Sequence, residues 1–293
     1  MSHDPRRNSG AHQPADIHAV QPLPDLRAVV EAVDGAARLV LELLRDPIRD
    51  WNKGDKSPVT SIDIAVDRFL NQQLRPLMPG AGWLSEETAD NMTRLDYRYL
   101  WVVDPIDGTR SLIAGHPEFC ISVGLVETGV GPLLGIIANP STGELFCGLK
   151  GRGAFDREGA RLRVKREWRE DSAKVLVSRS DLARGMWRGL IEETSLHPLG
   201  SLAYKMALVA QGRFDGHATP TPRSEWDAAA GMLLLTEAGG LATDVHGLPL
   251  RFNQPRPLYD GMVVASSAAH PQMLQWAQTA ARKWAGSPAK GTI

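Results

Sequence analysis

The sequence predicts a layered α/β fold, on three observations. Leu26, Val29, Val30, Val33, Ala37, Val40, Leu41 and Leu44 recur at helical spacing, so residues 25–46 form an amphipathic helix. Apolar runs at 83–86, 99–103, 119–127, 133–138 and 144–149 read as strands. The second half alternates strand and helix through 174–178, 184–193, 201–211, 214–218 and 226–237, then closes with a strand at 262–266 and a helix from Pro271 to Trp284. Sheets that must bury their faces against helices give a layered architecture.

Between the first helix and the first strand lie a charged loop from Trp51 to Ser57 and a second helix from about Ser61 to Met78. That helix buries Ile62, Val66, Phe69, Leu70, Leu74 and Leu77. A polar loop from Thr88 to Leu95 separates the first two strands. The strands at 119–127 and 133–138 pair through Thr128-Gly129-Val130-Gly131, and Asn139-Pro140-Ser141-Thr142-Gly143 is a hairpin signal into the next strand. Residues 150–172 carry Arg161, Arg163, Lys165, Arg166 and Arg169, read as a solvated hairpin flank. Gly151-Arg152-Gly153 continues into no dinucleotide pattern and reads as a turn. The expected organisation is a disordered polar tail over 1–24, an N-terminal α+β half over 25–172, a C-terminal α/β half over 173–285 and a flexible tail over 286–293.

A chain of 293 residues can bury a large core. Its 33 Lys and Arg balance 34 Asp and Glu, for a net charge of −1, which gives no support to a nucleic-acid or membrane-surface partner. No signal peptide is visible and no apolar stretch approaches the roughly 20 residues of a membrane helix. Cys120 and Cys147, the two cysteines, sit in apolar runs and read as buried reduced thiols, which suits the cytoplasm.

The stretch richest in chemistry is Asp104-Pro105-Ile106-Asp107-Gly108-Thr109, placed straight after the apolar run Tyr99 to Val103. Two carboxylates about 4 Å apart repel by roughly 4 kcal/mol at an effective dielectric of 20. A divalent cation removes that cost, and hard oxygen ligands suit magnesium. Pro105 is expected to fix the turn between the acids, and Gly108 to let backbone approach a ligand. The plain alternative is an Asp-rich turn with local hydrogen bonds. Glu86-Glu87, Asp63 and Asp227 are further acids at the edges of regular elements; Asp63 and Asp227 fall in first helical turns, where the helix dipole favours a carboxylate anyway.

Together, Glu86-Glu87, D-P-I-D-G-T at 104–109 and W-D-A-A-A-G at 226–231 resemble the inositol monophosphatase family of magnesium-dependent phosphatases, over roughly residues 25 to 280. The resemblance implies a layered αβαβα sandwich and a phosphomonoesterase acting on a small phosphorylated substrate. It implies that Glu86, Asp104 and the Ile106 carbonyl hold a first Mg²⁺, that Asp104, Asp107 and Asp227 hold a second, and that Asp63 supports a weaker third or the water. Thr109 would share a water with Glu86 or Asp63 and relay its proton, and the Gly108 and Thr109 amides would bind the phosphate. A homodimer is implied by the family alone. No G-x-S-x-G is present and the eight histidines are scattered, so a metal-activated water is the economical nucleophile. The acids lie three apart, unlike the D-x-D-x-T of haloacid-dehalogenase-type phosphatases, and an aspartyl-phosphate is rejected.

For the substrate, Lys53-Gly54-Asp55-Lys56-Ser57-Pro58-Val59-Thr60 and Val177-Ser178-Arg179-Ser180 resemble the 3′(2′),5′-bisphosphate nucleotidases of the CysQ type. Ser201 and Lys205 fall where that branch binds substrate, with Lys205 suited to a second phosphate; the alternative is a solvated helix lysine. The Ser201–Lys205 spacing is one residue longer than the branch's usual S-x-x-K. Inositol monophosphatases carry a glutamate seven residues before the W-D aspartate, and Pro220 stands there instead. Arg223 and Glu225 are candidates for contacting a different leaving group. These features imply 3′-phosphoadenosine 5′-phosphate, within sulfate assimilation. Inositol-1-phosphate or another sugar phosphate is the alternative substrate, and a non-catalytic metal-binding regulator the alternative class.

Overall fold

The computed structural model describes residues 17–18, 20–54 and 57–285. Most of the expected N-terminal tail, the whole of the C-terminal one, and Asp55 and Lys56 of the charged loop lie outside the described residues. Within the expected tail, Ile17 accepts a hydrogen bond from the Arg98 amide at 3.0 Å.

In chain order the elements are α1 (Leu26–Leu43), β1 (Asp50–Asn52), β2 (Pro58–Thr60), α2 (Ser61–Leu74), β3 (Ala81–Ser85), β4 (Tyr99–Asp107), α3 (Thr109–Ile113), β5 (Cys120–Glu127), β6 (Gly131–Ala138), β7 (Leu145–Leu149) and β8 (Gly153–Asp156). They continue as β9 (Val175–Val177), α4 (Arg179–Ala183), β10 (Leu196–Pro198), α5 (Leu202–Ala210), β11 (Gly216–Thr219), β12 (Arg223–Ser224), α6 (Glu225–Glu237), β13 (Gly240–Asp244), β14 (Leu258–Tyr259), β15 (Met262–Ser266) and α7 (His270–Ala285).

Two sheets make the frame. One has the order β3-β4-β5-β6-β7-β8, antiparallel except for β3 beside β4. The other has the order β10-β9-β11-β15-β13, with β10, β9 and β11 parallel and β15 antiparallel to both neighbours. Helices α1 and α2 cover one face of the six-stranded sheet, α5 and α6 lie between the two sheets, and α7 covers the far face of the second sheet. The result is the layered αβαβα sandwich.

The central helices explain the small-residue run after Asp227. An ideal Cβ on Gly135 of β6 would lie 2.6 Å from the Ala230 carbonyl oxygen, and one on Gly124 of β5 would lie 2.9 Å from the Ala229 Cβ. Alanine on the helix and glycine on the strands let α6 lie directly on the sheet.

Three differences from the sequence expectations have physical causes. Residues 184–193 form turns rather than a regular element: Gly185 and Gly189 take positive φ (68° and 69°) while Met186 and Trp187 plug the core beneath. β8, β10 and β13 are short strands, and their runs carry too few alternating apolar residues to stand out. The third concerns the paired acids. β4 runs on through Asp104 to Asp107, where a turn was expected.

The basic segment behaves as read. Arg161, Arg163, Arg166 and Arg169 are exposed, and Lys165 pairs with Asp215 at 2.9 Å. Both cysteines are free thiols; Cys120 is buried and Cys147 half-buried. No helix among the described residues is long and apolar enough to cross a membrane.

Candidate active site

Successive strand residues point to opposite faces of a sheet, so two acids three apart on a regular strand would be separated by it. Here Asp104 pairs with Ser122 and Asp107 with Cys120, so three steps on β4 match two on β5. The extra residue is a β-bulge at Pro105-Ile106, where a proline without an N–H costs no ladder bond. The bulge brings Asp104 and Asp107 to the same face, toward α6, and sends Ile106 into the opposite core with Val103 and Ile121. Asp104 Oδ1 accepts the Ile106 amide at 3.0 Å, and Gly108 follows with φ 101°, opening α3.

Asp227 comes to the pair from α6. It stands in the first turn, where its Oδ2 accepts the Ser224 amide at 3.0 Å, as suits an acid at a helix start. One carboxylate oxygen from each of Asp104, Asp107 and Asp227 lies within 4.8 Å of the others. Burial above all, then the neighbouring acids, pushes the Asp104 carboxyl well up; the same causes push Asp227 up to about 8. Asp107 is also raised by burial, although Ser201 Oγ at 2.7 Å and the Ala203 amide at 2.5 Å both donate to its Oδ2.

Glu86 follows β3 and lines the same cleft of about 460 Å³, but its carboxylate is turned to Lys53, whose Nζ stands 3.0 Å from Glu86 and 2.6 Å from Glu87. Asp63 sits in the first turn of α2 in a reciprocal capping box with Thr60, and its other oxygen accepts the Thr109 hydroxyl at 2.9 Å. The Ile106 carbonyl is 3.1 Å from that same hydroxyl. Thr109 therefore meets Asp63 directly.

A protein that buries this many carboxylates together without compensation carries a large electrostatic penalty. The donors are carboxylate and carbonyl oxygens, with no thiol or imidazole, which fits a hard divalent cation. The residues able to hold one are Asp104, Asp107 and Asp227, and Glu86 and Ile106 line the same cleft.

The same cleft also carries cationic side chains. Lys205 of α5 is 3 % exposed, so it is not a solvated helix lysine; its Nζ donates to the Leu199 and Gly200 carbonyls at 3.2 and 3.5 Å. Burial draws its ammonium down to about 8, against the pull of Asp107. Ser201 caps α5 with φ 55° and receives the Tyr204 amide at 3.0 Å while donating to Asp107. Glu225 lies away from the cleft: it is wholly buried and accepts the Asn253 and Gln254 amides at 2.8 and 2.9 Å. Sequence reasoning passed over Asp181, wholly buried on α4, which accepts the Thr219 and Thr221 hydroxyls. Its only sequence signal is an acid beside the Ser178-Arg179-Ser180 run.

The profile described as the inositol monophosphatase family matches residues 23–282. The chain belongs to the inositol monophosphatase family. It is a phosphomonoesterase, and the family acts on small phosphorylated substrates. An inositol-1-monophosphatase of Rhizobium meliloti (strain 1021) is 33 % identical over 224 residues, covering 73 % of this chain and 80 % of that protein. A 3′(2′),5′-bisphosphate nucleotidase CysQ of Aggregatibacter actinomycetemcomitans is 32 % identical over 209 residues, covering 69 % and 77 %. Among solved structures, the Thermotoga maritima IMPase superposes with a TM-score of 0.76 at 26 % identity, covering 88 % of this chain and 98 % of that one.

Proposed function

We propose that this inositol monophosphatase-family member is a Mg²⁺-dependent 3′(2′),5′-bisphosphate nucleotidase that hydrolyses 3′-phosphoadenosine 5′-phosphate to AMP and phosphate. The observation that carries the substrate is Lys205: a buried lysine lining the same cleft as the acid cluster suits a substrate with a second phosphate. Pro220, where an inositol-binding glutamate is expected, and the CysQ relative at 32 % identity support the same reading. The inositol-1-monophosphatase relative at 33 % identity supports a second one, hydrolysis of inositol-1-phosphate.

The residue roles belong to this proposal. Asp104, Asp107 and Asp227, with Glu86 and the Ile106 carbonyl, would hold two Mg²⁺ ions, and Asp63 would support a third. Bound Mg²⁺ supplies a water of lowered pKa and positive charge beside the leaving oxygen. The protein's part is to hold protons and position the ester. Thr109 Oγ can take a proton from a neighbouring water while passing its own to Asp63, 2.9 Å away. Asp63 is ready to receive it, because burial raises its carboxyl above the usual range. Ser201 and the Ala203 amide hold the Asp107 carboxylate, and the Gly108 and Thr109 amides at the start of α3 would meet the phosphate.

The test is phosphate release from 3′-phosphoadenosine 5′-phosphate and from inositol-1-phosphate at equal concentration, with and without Mg²⁺. The expected kcat/KM ratio favours the nucleotide by about 100-fold, or about 2.7 kcal/mol of transition-state binding, with no turnover when Mg²⁺ is removed. A ratio near one, or inverted, moves the substrate to inositol or sugar phosphates. Full activity without divalent metal refutes the mechanism.

A further inference from the structure

Four cationic side chains, Arg110, Arg179, Lys205 and Arg223, line the cleft, and one of them is placed by a device of its own. Arg223, on β12 four residues before Asp227, lines the cleft beside Lys205. Its Nη1 donates to the Pro222 carbonyl at 2.9 Å and its Nη2 to the Thr219 hydroxyl at 3.0 Å. The same Nη2 is 3.7 Å from Asp181 Oδ2, and Asp181 has no exposed surface. Thr219 and Thr221 donate to Asp181 at 2.9 and 3.4 Å, and Arg184 lies 3.8 Å from it. A long arginine left to solvent would sample many rotamers; this one is held by a buried carboxylate and a threonine. Its charge is felt at Asp107, at Asp227 and, repulsively, at Lys205. Asp181 and Asp107 offset part of the repulsion between Arg223 and Lys205, and a substrate anion meeting both cations would add to that attraction. The two hydrogen bonds use only part of the guanidinium's five N–H groups, leaving others for a planar or tetrahedral anion.

We propose that Arg223, aimed by Asp181 and Thr219, is a specificity-determining residue that reads a second anionic group on the substrate. This rests on the assignment of the scissile phosphate to the acid cluster, and it extends beyond the choice between nucleotide and inositol. Arg223 contacts the ligand, and Asp181 is a positioning residue behind it.

The experiment compares each bisphosphate with its monophosphate: 3′-phosphoadenosine 5′-phosphate with adenosine 3′-monophosphate, and inositol 1,4-bisphosphate with inositol 1-phosphate. Wild type is expected to prefer the bisphosphate in at least one pair. In Arg223→Met the bisphosphate-to-monophosphate ratio of kcat/KM falls roughly 10- to 100-fold, the loss of a charge-assisted pair, and falls mainly through KM. Arg223→Lys recovers part of the ratio, and Asp181→Asn lowers it in the same direction. On the wild-type enzyme alone, 5′-AMP competes at least roughly tenfold better than adenosine, which keeps the test open if a variant does not fold. A preference confined to the inositol pair removes the nucleotidase reading and supports Arg223. A nucleotide preference that survives Arg223→Met overturns Arg223 and leaves the nucleotidase standing. Equal losses on both partners of a pair, or a wild type with no bisphosphate preference, also overturn the proposal.

Discussion

At the scale of single residues, Asp107 carries more than one task. Its Oδ2 takes hydrogen bonds from Ser201 and the Ala203 amide, which tie β4 to the start of α5, while its charge adds to the buried repulsion with Asp104 and Asp227. An amide side chain keeps the shape and one acceptor oxygen but removes the charge. Asp107→Asn is therefore expected to lose at least about 10³-fold in kcat, in line with losing an electrostatic group that acts in the transition state, and to keep its fold. Steady-state kinetics beside a thermal melt decide it: near-wild-type turnover refutes the assignment of Asp107, and a collapsed melt shows that Asp107 is needed for the fold itself. The type and order of these acids were legible in the sequence, and the family resemblance implied that they share a cation; the backbone device that brings two of them to one face was not legible. The acids were expected on a turn; they lie on a strand, where three-residue spacing alone would separate them, and the bulge at Pro105-Ile106, seen in the pairing of β4 with β5, brings them to one face. Lys205 illustrates the converse. Leu202-Ala203-Tyr204-Lys205-Met206-Ala207-Leu208-Val209-Ala210 is apolar around its whole circumference, the mark of a helix buried on every side, so its one charge had to face a cleft or a partner.

At the scale of elements, the position of Asp227 depends on how closely α6 lies on the six-stranded sheet. That approach is set by Gly124 and Gly135, and Gly231 on the same helix lies so close to α5 that an added Cβ would sit 2.7 Å from Met206. Methyl groups forced into such contacts shift backbones and cost roughly 1–3 kcal/mol. Gly135→Ala, whose new Cβ would lie 2.6 Å from the Ala230 carbonyl, is expected to lower Tm by about 2–8 °C and to reduce kcat by moving the start of α6 away from Asp104 and Asp107. A melt together with kcat at saturating Mg²⁺ checks both; a lower Tm with unchanged kcat shows that α6 gives way without disturbing the site. Elements with strong periodicity, such as α1 and α2, were readable within a few residues. The turns at 184–193 were misread because Met186, Trp187, Leu190 and Ile191 give an apolar pattern that serves local plugging of the core, not a helix face.

At the scale of the whole molecule, the acid cluster sits where the halves of the chain meet: Asp104 and Asp107 come from the first sheet, and Asp227 from a helix shared by both. A cation there ties the two together, so the metal should act on global stability as well as on chemistry. The pH dependence follows from the raised carboxyls. Asp227 moves from an ordinary 3.8 to about 8 in the folded protein, and Asp104 and Asp107 move in the same direction. Between about pH 4 and pH 8 the metal-free folded protein holds protons there that the unfolded chain has released, so this contribution to its stability falls as pH rises through that window. Glu225, raised to about 7 by burial, contributes with the same sign but stands apart from the cluster, and a metal does not relieve it. On the proposed Mg²⁺ dependence, the cation would take the place of the cluster's protons, and binding to the folded state alone at 100 times Kd would add about 2.7 kcal/mol. The Mg²⁺-induced rise in Tm is thus expected to be larger at pH 8 than at pH 5.5 by about 5 °C, with metal-free Tm falling between about pH 7 and pH 8. Thermal scans at both pH values and at about pH 7, with chelator and with saturating Mg²⁺, measure the two quantities separately. His217 and His270, whose imidazoles burial draws down, act with the opposite sign below about pH 6.5. A metal-free Tm that is flat or rises between about pH 7 and pH 8 therefore shows that the buried acids are not held protonated. A Mg²⁺ increment independent of pH shows that the cation binds elsewhere, since a site made of these carboxylates must release their protons to take it up.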